Sequence, residues 1–255
     1  MTLSIAERHR KILEKLKETG SVSVVELSEQ LGVSAVTIRK DLKLLESRSL
    51  LFRSHGSASI SNPYIADRHV MEKEQLYVEE KQRISRYAAS LINDGESIIL
   101  ASGSTINELS RQIGERRNIT AICASLVAAR ELAVKGVAEV LQLGGLVRQT
   151  ATSVVGPFAE KILEGFRCSK LFMGVDGIDP EFGLTTTNAL EASLNRQMIA
   201  SAEKVIVLAD GSKFGRRGFS RICQFDQVDL IITNKGVSEL FVKQLEEKGI
   251  EVVLV

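Results

Sequence analysis

Short apolar runs rich in β-branched residues alternate with longer helical patterns from about residue 76 to the end of the chain. Examples are ITAIC followed by SLVAARELAVK, and DLIIT followed by SELFVKQLEEKG. Strands that alternate with helices usually pair in parallel, and helices then cover both faces of the sheet. This alternation predicts an α/β domain with a mainly parallel sheet over residues 76–255.

Ligands of such domains bind beyond the carboxyl ends of the strands, so the residues that follow each apolar run are candidates for function. The run SIILA is followed by Ser102, Gly103, Ser104 and Thr105. These residues precede a predicted helix, where free amides, hydroxyls and the positive end of the helix dipole favour phosphate. A plain strand-to-helix turn with a cap is the alternative interpretation.

The run AEVLQL is followed by paired glycines, Gly144 and Gly145, and then by Arg148. Glycines allow a ligand to approach the backbone closely, although they serve equally well in a tight turn. We therefore take Gly144, Gly145 and Arg148 as candidate ligand-binding residues.

Two other runs end in charged residues. KLFMGVD ends at Asp176, with Asp179 nearby, and KVIVLAD is followed closely by Lys213. Carboxylates accept hydrogen bonds from sugar hydroxyls, and a lysine supplies a point charge for phosphate. Solvated loop charges are the simpler interpretation of each residue taken alone. Convergence of all these loops on one edge of the sheet favours a site.

The N-terminal segment SAVTIRKDLKLLES, residues 34–47, has the pattern of a DNA-reading helix. Ser34 is a suitable N-cap, and Ile38, Leu42 and Leu45 form one apolar stripe. The opposite side carries cations, with small residues at the N-terminal tip that allow close approach to bases. An ordinary amphipathic helix with a solvated charged side is the alternative. The candidate DNA-binding residues of this helix are Ser34, Ala35, Val36, Thr37, Arg39, Lys40 and Lys43.

The surrounding segments complete a winged helix-turn-helix pattern. Ser23 and Glu26 have capping-box spacing, and the helix that they begin ends at Gly32. An earlier amphipathic helix has Ile5, Ile12, Leu13 and Leu16 on one side. The run LLFRSHGSAS, residues 50–59, predicts a hairpin wing on which Arg53 and His55 face the phosphate backbone.

Composition agrees with two domains in a DNA-binding protein. The chain of 255 residues has a formal net charge of +1, and residues 1–57 contain ten Lys or Arg against seven Asp or Glu. We predict a DNA-binding domain over residues 1–57, a linker over 58–75 and a sensor domain over 76–255.

Other features of the composition concern redox state, metals and membranes. Cys123, Cys168 and Cys223 are widely spaced and odd in number, as core thiols of a cytoplasmic protein would be. Neither the cysteines nor the three histidines have zinc-ligand spacing, so we expect no metal and no cofactor. No apolar run is long enough to cross a bilayer, so we expect no contact with a membrane.

Taken together, the motifs SAVTIRKDLKLLE, RSHGSA, LASGST, LGGLVRQTATSVVGP, FMGVDGID, GLTTTNALEASLNRQM and LADGSKFGR resemble those of the DeoR family of bacterial transcriptional regulators. The resemblance covers nearly the whole chain. It implies a winged helix-turn-helix joined to a sensor domain similar to ribose-5-phosphate isomerase. Family members are usually repressors that a phosphorylated sugar releases or modulates. We therefore expect a non-enzymatic regulator that binds operator DNA as a homodimer or a homotetramer, because half-sites about 34–36 Å apart favour two reading heads.

The resemblance also implies roles for individual residues. The turn at residues 102–105 corresponds to a phosphate site, and Asp176, Glu191 and Lys213 correspond to the acid, base and lysine of the isomerase-like pocket. The segment EASLNRQM, preceded by Asn188, is similar to members that respond to amino-sugar phosphates. A sugar-phosphate isomerase with an attached regulatory domain is the alternative function.

Two departures from the family pattern fall near the predicted pocket. Ala101 stands where the family usually has Asp, and Cys123, Ala124 and Ser125 replace a usual Thr-Asn-Ser. Loss of an acid and an amide removes hydrogen-bonding groups. We therefore expect Ala101 and Ala124 either to enlarge the pocket or to weaken ligand binding.

Overall fold

The computed structural model describes residues 4–47, 50–54, 56–59, 68–114, 118–136 and 139–255. The chain divides into two compact units, Met1–Ala66 and Asp67–Val255. The helix-turn-helix and the α/β domain predicted from the sequence are both present, one in each unit.

The first unit combines helices with a small antiparallel sheet. Strand β3 lies between β1 and β2, so the hairpin β2–β3 forms the predicted wing and β1 adds a third strand to it. The elements of this unit are α1 (Ile5–Thr19), β1 (Ser21–Ser23), α2 (Val24–Leu31), α3 (Ala35–Ser47), β2 (Phe52–Ser54) and β3 (Ser57–Ser59).

Caps fix where the helices of the first unit begin and end. Ser23 accepts a hydrogen bond from the Glu26 amide at 3.1 Å and Glu26 accepts one from the Ser23 amide, as the capping box predicts. Gly32, with φ of 63°, ends α2 in the left-handed region that favours glycine. Ser34 accepts a hydrogen bond from the Thr37 amide at the start of α3. These local signals therefore define the helix-turn-helix.

The apolar stripe predicted for α3 forms the centre of the first core. Ile38, Leu42 and Leu45 are buried there against residues of α1 and α2 that include Ile12 and Leu16. Ile5 differs from the prediction, because 61% of its surface is exposed. It lies in the first turn of α1, before the helix reaches the core.

A buried ionic cluster joins α1 to α3. Arg8 donates to Asp41 at 2.9 Å, and His9 Nε2 lies 3.1 Å from the same carboxylate. Burial alone would raise the pKa of Asp41, but the hydrogen bonds and charges of Arg8 and His9 outweigh it and lower this pKa. Asp41 is therefore held ionised between the two helices.

The second unit is an α/β domain with a parallel main sheet. Its strand order is β15-β14-β12-β9-β4-β5-β6, and neighbouring strands pair in parallel throughout. Strands β7 and β8 form a hairpin, and β10, β11 and β13 form a small antiparallel sheet. The elements of this unit are α4 (Val70–Glu74), α5 (Val78–Ser90), β4 (Ser97–Leu100), α6 (Ser104–Gln112), β5 (Thr120–Cys123), α7 (Leu126–Lys135), β6 (Glu139–Gln142), β7 (Leu146–Arg148), β8 (Ser153–Val155), α8 (Pro157–Leu163), β9 (Cys168–Gly174), β10 (Gly177–Asp179), β11 (Gly183–Thr186), α9 (Ala189–Ala200), β12 (Ala202–Leu208), β13 (Ser220–Cys223), β14 (Leu230–Thr233), α10 (Glu239–Glu246) and β15 (Glu251–Leu254).

The main sheet separates two apolar cores. In β4, Ile98 and Leu100 pack into one core, whereas Ile99 packs into the other. Successive side chains of a strand point to opposite faces, so a fully apolar run is what a sheet covered on both sides requires. The continuous run SIILA is therefore explained by its central place in this sheet.

Several details differ from, or add to, the sequence predictions. Residues 58–59 belong to β3 of the first unit and residues 70–74 form α4 of the second, although both lie in the predicted linker. The apolar pattern of residues 84–92 places Tyr87 on the inward side of α5, but this residue is 36% exposed. The three cysteines are buried, and burial raises the pKa of Cys123 and of Cys223 to about 12. Across the described residues, no helix is long and apolar enough to cross a membrane.

Candidate functional site

The carboxyl ends of three adjacent strands meet at one edge of the main sheet. Strand β9 pairs with β4 on one side and with β12 on the other. Ser102 follows β4, Asp176 follows β9 and Lys213 follows β12, so the strand order brings these three loops together. This is the edge at which the sequence predicts a ligand site.

A cavity of about 540 Å³, including its open mouth, lies at this edge. Eight of the ten predicted ligand-binding residues line it, from the turn between β4 and α6, the first turn of α6, the end of β7, the segments after β9 and β12, and the first turn of α9. The lining residues are Arg68, Val70, Lys73, Ser102, Gly103, Ser104, Thr105, Arg148, Thr150, Ala151, Gly174, Val175, Asp176, Thr186, Glu191, Leu208 and Lys213.

The N-terminus of α6 forms one wall of the cavity. Gly103 is the N-cap, with φ of 123°, a conformation in which a side chain would be strained. The Asn107 amide donates to the Gly103 carbonyl at 2.9 Å, so the amides before it have no acceptor within the helix. Because no side chain caps this helix end, its first-turn amides and the Ser104 and Thr105 hydroxyls are positioned to bind an anion.

Asp176 is the most heavily bonded carboxylate of the cavity. Lys73 Nζ donates to it at 2.8 Å, and the Thr186 hydroxyl and the Thr187 amide donate at 3.1 and 3.2 Å. Burial alone would raise the pKa of Asp176, but the charges of Lys73 and Lys213 hold it well below its usual range. Asp176 is therefore an ionised hydrogen-bond acceptor.

Glu191 lies in the first turn of α9, where Asn188 caps the helix by accepting a hydrogen bond from the Glu191 amide at 3.0 Å. Its carboxylate pairs with Arg148 and accepts a hydrogen bond from the Ser102 hydroxyl at 2.7 Å. Burial raises the pKa of Glu191, and the nearby charge of Asp176 adds to this effect, whereas Arg148 opposes it. The two carboxylates of the cavity are thus shifted in opposite directions.

Lys213 ends a short 3-10 turn, Gly211–Lys213, whose start is capped by Asp210. Asp210 accepts a hydrogen bond from the Ser212 amide at 2.9 Å, which fixes the turn directly after β12. Burial lowers the pKa of Lys213, while Asp210 and Asp176 act against that shift. Lys213 thus lines the cavity as a partly desolvated point charge.

Some lining residues were not predicted from the sequence. Arg68 and Lys73 lie in the segment predicted as a linker, and neither residue stands in a recognisable motif. Thr186 did have a signal, because the run TTT precedes a helix capped by Asn188, much as SGST precedes α6.

Other predicted or suspected residues lie outside the cavity lining. Gly144 and Gly145 follow β6, which is two strands away from β4 in the sheet. A Cβ on Gly145 would lie 2.7 Å from the Val155 carbonyl oxygen, so this glycine permits close packing within the β7–β8 hairpin. Asp179 pairs instead with Arg217 at 2.6 Å.

The departures at Ala101 and Ala124 also lie outside the cavity lining. Both side chains are 1% exposed and pack within the apolar core on one face of the sheet. The expectation that these residues enlarge the pocket therefore has no geometric support.

In the first unit, α3 presents the predicted cationic face to solvent. Arg39, Lys40 and Lys43 are exposed, and Val36, one turn before them, is 60% exposed. This spacing places them along one side of the helix, away from its buried stripe. Ser34, Ala35 and Thr37 are exposed or half-buried at the N-terminal tip. The Arg53 side chain and His55 lie outside the described residues.

Comparison with known families agrees with both units. A DeoR-like helix-turn-helix domain matches residues 8–63, and a DeoR C terminal sensor domain matches residues 77–235. A protein from Escherichia coli O157:H7, named as an aga operon transcriptional repressor, is 36% identical over 98% of this chain and 94% of its own. The regulator GlpR of Haloferax volcanii is 35% identical over 97% of each chain.

A solved structure of ribose 5-phosphate isomerase A from Methanocaldococcus jannaschii is also similar, with a TM-score of 0.40 and 19% identity. The alignment covers 52% of this chain and 53% of the isomerase. A likeness of that size says nothing about function. The two domain matches and the relatives that align over almost their whole length do identify the family. The chain belongs to the DeoR family of transcriptional regulators.

Proposed function

We propose that the protein is a cytoplasmic DNA-binding repressor whose operator binding is controlled by a phosphorylated sugar. The observation that carries this proposal is the cavity, in which a helix N-terminus, two carboxylates and several cations meet in a chain that also bears a cationic reading helix. Relatives named as repressors of sugar-related operons support the same function. This regulatory function does not require catalysis.

The phosphate of the effector would bind at the start of α6. Ser102, Gly103, Ser104 and Thr105 offer amides and hydroxyls there, and Lys213 and Arg148 line the same cavity. Amides at a helix terminus fix the geometry of a phosphate, whereas lysine and arginine supply charge. We infer that this combination discriminates phosphorylated sugars from free ones.

The sugar would lie against the two carboxylates. Asp176 is ionised and offers acceptor oxygens, while Glu191 has a raised pKa and can carry a proton near neutral pH more readily than an ordinary glutamate. Sugar hydroxyls and amines both donate hydrogen bonds, so these groups suit a hexose, a pentose or an amino sugar. Amino-sugar phosphates are our preferred class, on the resemblance of the segment after Asn188.

DNA would be read by α3. Ser34, Ala35, Val36 and Thr37 at its tip would contact base edges, and Arg39, Lys40 and Lys43, with Arg53 and His55 of the wing, would contact phosphates. Half-sites about 34–36 Å apart favour a protein with two reading heads, so we expect a homodimer or a homotetramer.

The effector is tested by measuring the thermal stability of the full chain with ribose 5-phosphate, glucose 6-phosphate and glucosamine 6-phosphate, each beside its unphosphorylated form. A compound present at about 100 times its dissociation constant adds about 2.7 kcal/mol. We expect a shift with a phosphorylated compound, no shift with its free sugar, and no shift in Lys213→Ala. Equal shifts with free and phosphorylated sugars would overturn the phosphate assignment.

DNA reading is tested on a duplex selected by the full chain from a random-sequence pool. Arg39→Ala and Lys43→Ala should each weaken binding and reduce the slope of log K against log salt by about 0.9. Lys11→Ala removes an exposed lysine from α1 and serves as the matched control. Unchanged binding by both α3 variants would contradict the assignment of the reading helix.

The alternative function, a sugar-phosphate isomerase, is separated from a sensor by turnover. The same three sugar phosphates are incubated with the full chain, and the aldose and ketose forms are measured over time. A sensor binds without converting them, whereas an isomerase approaches the equilibrium ratio. Conversion that disappears in Glu191→Gln would favour the enzyme.

A further inference from the structure

The segment 68–76, which we call the strap, lies against the cavity at the start of the second unit. The Val70 amide donates to the Thr150 carbonyl at 2.6 Å, and Lys73 donates to Asp176 at 2.8 Å. Arg68, Val70 and Lys73 all line the cavity. The first half of the strap therefore rests on groups that themselves face the ligand space.

The second half of the strap is fixed to the body of the domain instead. Glu74 accepts a hydrogen bond from the Asn107 amide group at 2.8 Å, and the buried Lys81 donates to the carbonyls of Lys73 and Leu76. Asn107 is itself buried and accepts a hydrogen bond from Ser125 at 2.7 Å. Of the groups in these contacts, only the backbone carbonyl of Lys73 belongs to a residue that lines the cavity, so a ligand would affect the first half of the strap more than the second.

The charges that line the cavity do not balance. Among the described lining residues, Arg68, Lys73, Arg148 and Lys213 face only two carboxylates, Asp176 and Glu191. In their ordinary charged forms these side chains leave an excess of two positive charges. A phosphate monoester carries about −1.5 to −2 near neutral pH, which matches that excess.

Among the cations that line the cavity, Lys73 is the one whose hydrogen-bond partner would change most easily when an anion binds. An ammonium group has three donors on a flexible stem, so it can bind Asp176 and an added anion together or exchange one for the other. Arg148, by contrast, is paired with Glu191 and its side chain is 9% exposed, whereas the Lys73 side chain is 22% exposed.

We propose that the strap is the element that couples effector binding to DNA binding, with Arg68 and Lys73 as its ligand-contacting residues. The inference rests on the proposed function and adds its mechanism of regulation. A phosphorylated sugar draws the Lys73 ammonium and the Arg68 guanidinium onto its phosphate, which draws the strap against the cavity.

Chain continuity gives this movement a route to the first unit. The strap begins two residues after Ala66, the last residue of the DNA-binding unit. A ligand that contacts the strap binds the protein more tightly in one position of this segment than in the other. Coupling between two sites requires such a difference in binding free energy between two states. By reciprocity, operator DNA should change effector affinity by the same factor.

The test follows hydrogen exchange of the strap amides in the full chain, with and without saturating ribose 5-phosphate, glucose 6-phosphate or glucosamine 6-phosphate. In the wild type we expect the compound that binds to slow exchange at residues 70–73, in the first half of the strap, by about tenfold, equivalent to 1.4 kcal/mol. Lys73→Met should bind the same compound roughly tenfold more weakly, the cost of one charge-assisted hydrogen bond. At saturation it should show neither the slowed exchange nor any change in affinity for the selected duplex.

Two further variants make the result specific. Lys73→Arg keeps the charge and should retain the response, and Lys243→Met removes an exposed lysine of α10 outside the cavity lining and should behave as the wild type. Two results would overturn the proposal while leaving the proposed function intact. One is a wild-type strap whose exchange is unchanged at saturation, and the other is a Lys73→Met variant whose affinity for the duplex still changes when the compound binds. If no phosphorylated sugar binds the wild type, both fail together.

Discussion

Each unit of the protein holds a buried carboxylate against cations, but the two arrangements differ in what surrounds them. In the first unit, Asp41 is enclosed between α1 and α3 and its partners, Arg8 and His9, come from the same packed core. In the second unit, Asp176 and Glu191 face a cavity in which cations outnumber them.

The difference separates a structural ion pair from a binding site. The Asp41 cluster is enclosed by the packed core of the first unit, so a ligand has no space beside its partners. The cavity presents unmatched positive charge, which an added anion would neutralise. A buried carboxylate is therefore informative about function only when the space around it and its cations is considered as well.

The largest effect is expected from Asp41→Ala. Removing one partner of a buried pair leaves the Arg8 charge uncompensated, so the free energy of unfolding of the first unit should fall by about 3–5 kcal/mol. Calorimetry of the full chain, combined with hydrogen exchange at α1 and α3, measures the loss. The matched control is Glu14→Ala, because Glu14 forms an exposed pair with Arg10 and surface pairs contribute at most about 1 kcal/mol. Similar losses in both variants would contradict the distinction.

Acid should destabilise the first unit through the same carboxylate. The pKa of Asp41 is lower in the folded chain than its ordinary value of 3.8. Its stabilising contribution is therefore complete above that value and is lost as the pH falls through the folded pKa. The free energy of unfolding, measured from about pH 6 down to about pH 3, should decline more steeply in the wild type than in Asp41→Asn. Parallel curves would refute this role.

Arg148→Ala should have a smaller effect on stability and a larger one on binding. Glu191 is left buried without its cation, at a cost of about 1–3 kcal/mol, because water in the cavity and protonation of the carboxyl both limit the loss. The pKa of Glu191 rises further, so the destabilisation is greatest at high pH and shrinks as the pH falls. Chemical denaturation at two pH values checks this sign, and the thermal-shift panel should show that phosphorylated sugars no longer bind.

The smallest effects concern two helix caps, one in each unit. Ser23→Ala removes a half-buried cap of α2 and should cost about 1 kcal/mol. Ser125→Ala removes the fully buried cap of α7 and also removes the hydroxyl that donates to the Asn107 side-chain oxygen. It should therefore lower the free energy of unfolding by about 2 kcal/mol. Urea denaturation of each variant provides the comparison. A larger loss at Ser23 would show that burial does not set the cost of these caps.

Local features of this protein were predictable from the sequence because they depend on residues three or four positions apart. The capping box of Ser23 and Glu26, the apolar stripe of α3 and the hydroxyl-rich turn before α6 all belong to this class. The alternation of short apolar runs with helical patterns is also visible in the sequence, and it predicted the parallel sheet.

Which turns meet at the cavity depended on the order of the strands. Gly144 and Gly145 follow a strand just as Ser102 does, yet β6 lies at the sheet edge and its turn packs within the β7–β8 hairpin. Ala101 stands directly before the predicted site residue Ser102, but its side chain points into the core, as does that of Ala124. Nothing within a window of a few residues distinguishes these cases.

The sequence by itself determined the two domains, their helix ends, the exposed cationic face of α3 and most candidate ligand-binding residues. Tertiary structure alone decided that Lys73 reaches Asp176, that Arg68 lies at the same cavity and that Thr186 bridges the two carboxylates. The physical reason is range: caps and amphipathic stripes arise from neighbouring backbone groups, whereas a contact between residues 73 and 176 exists only once the sheet has set their distance.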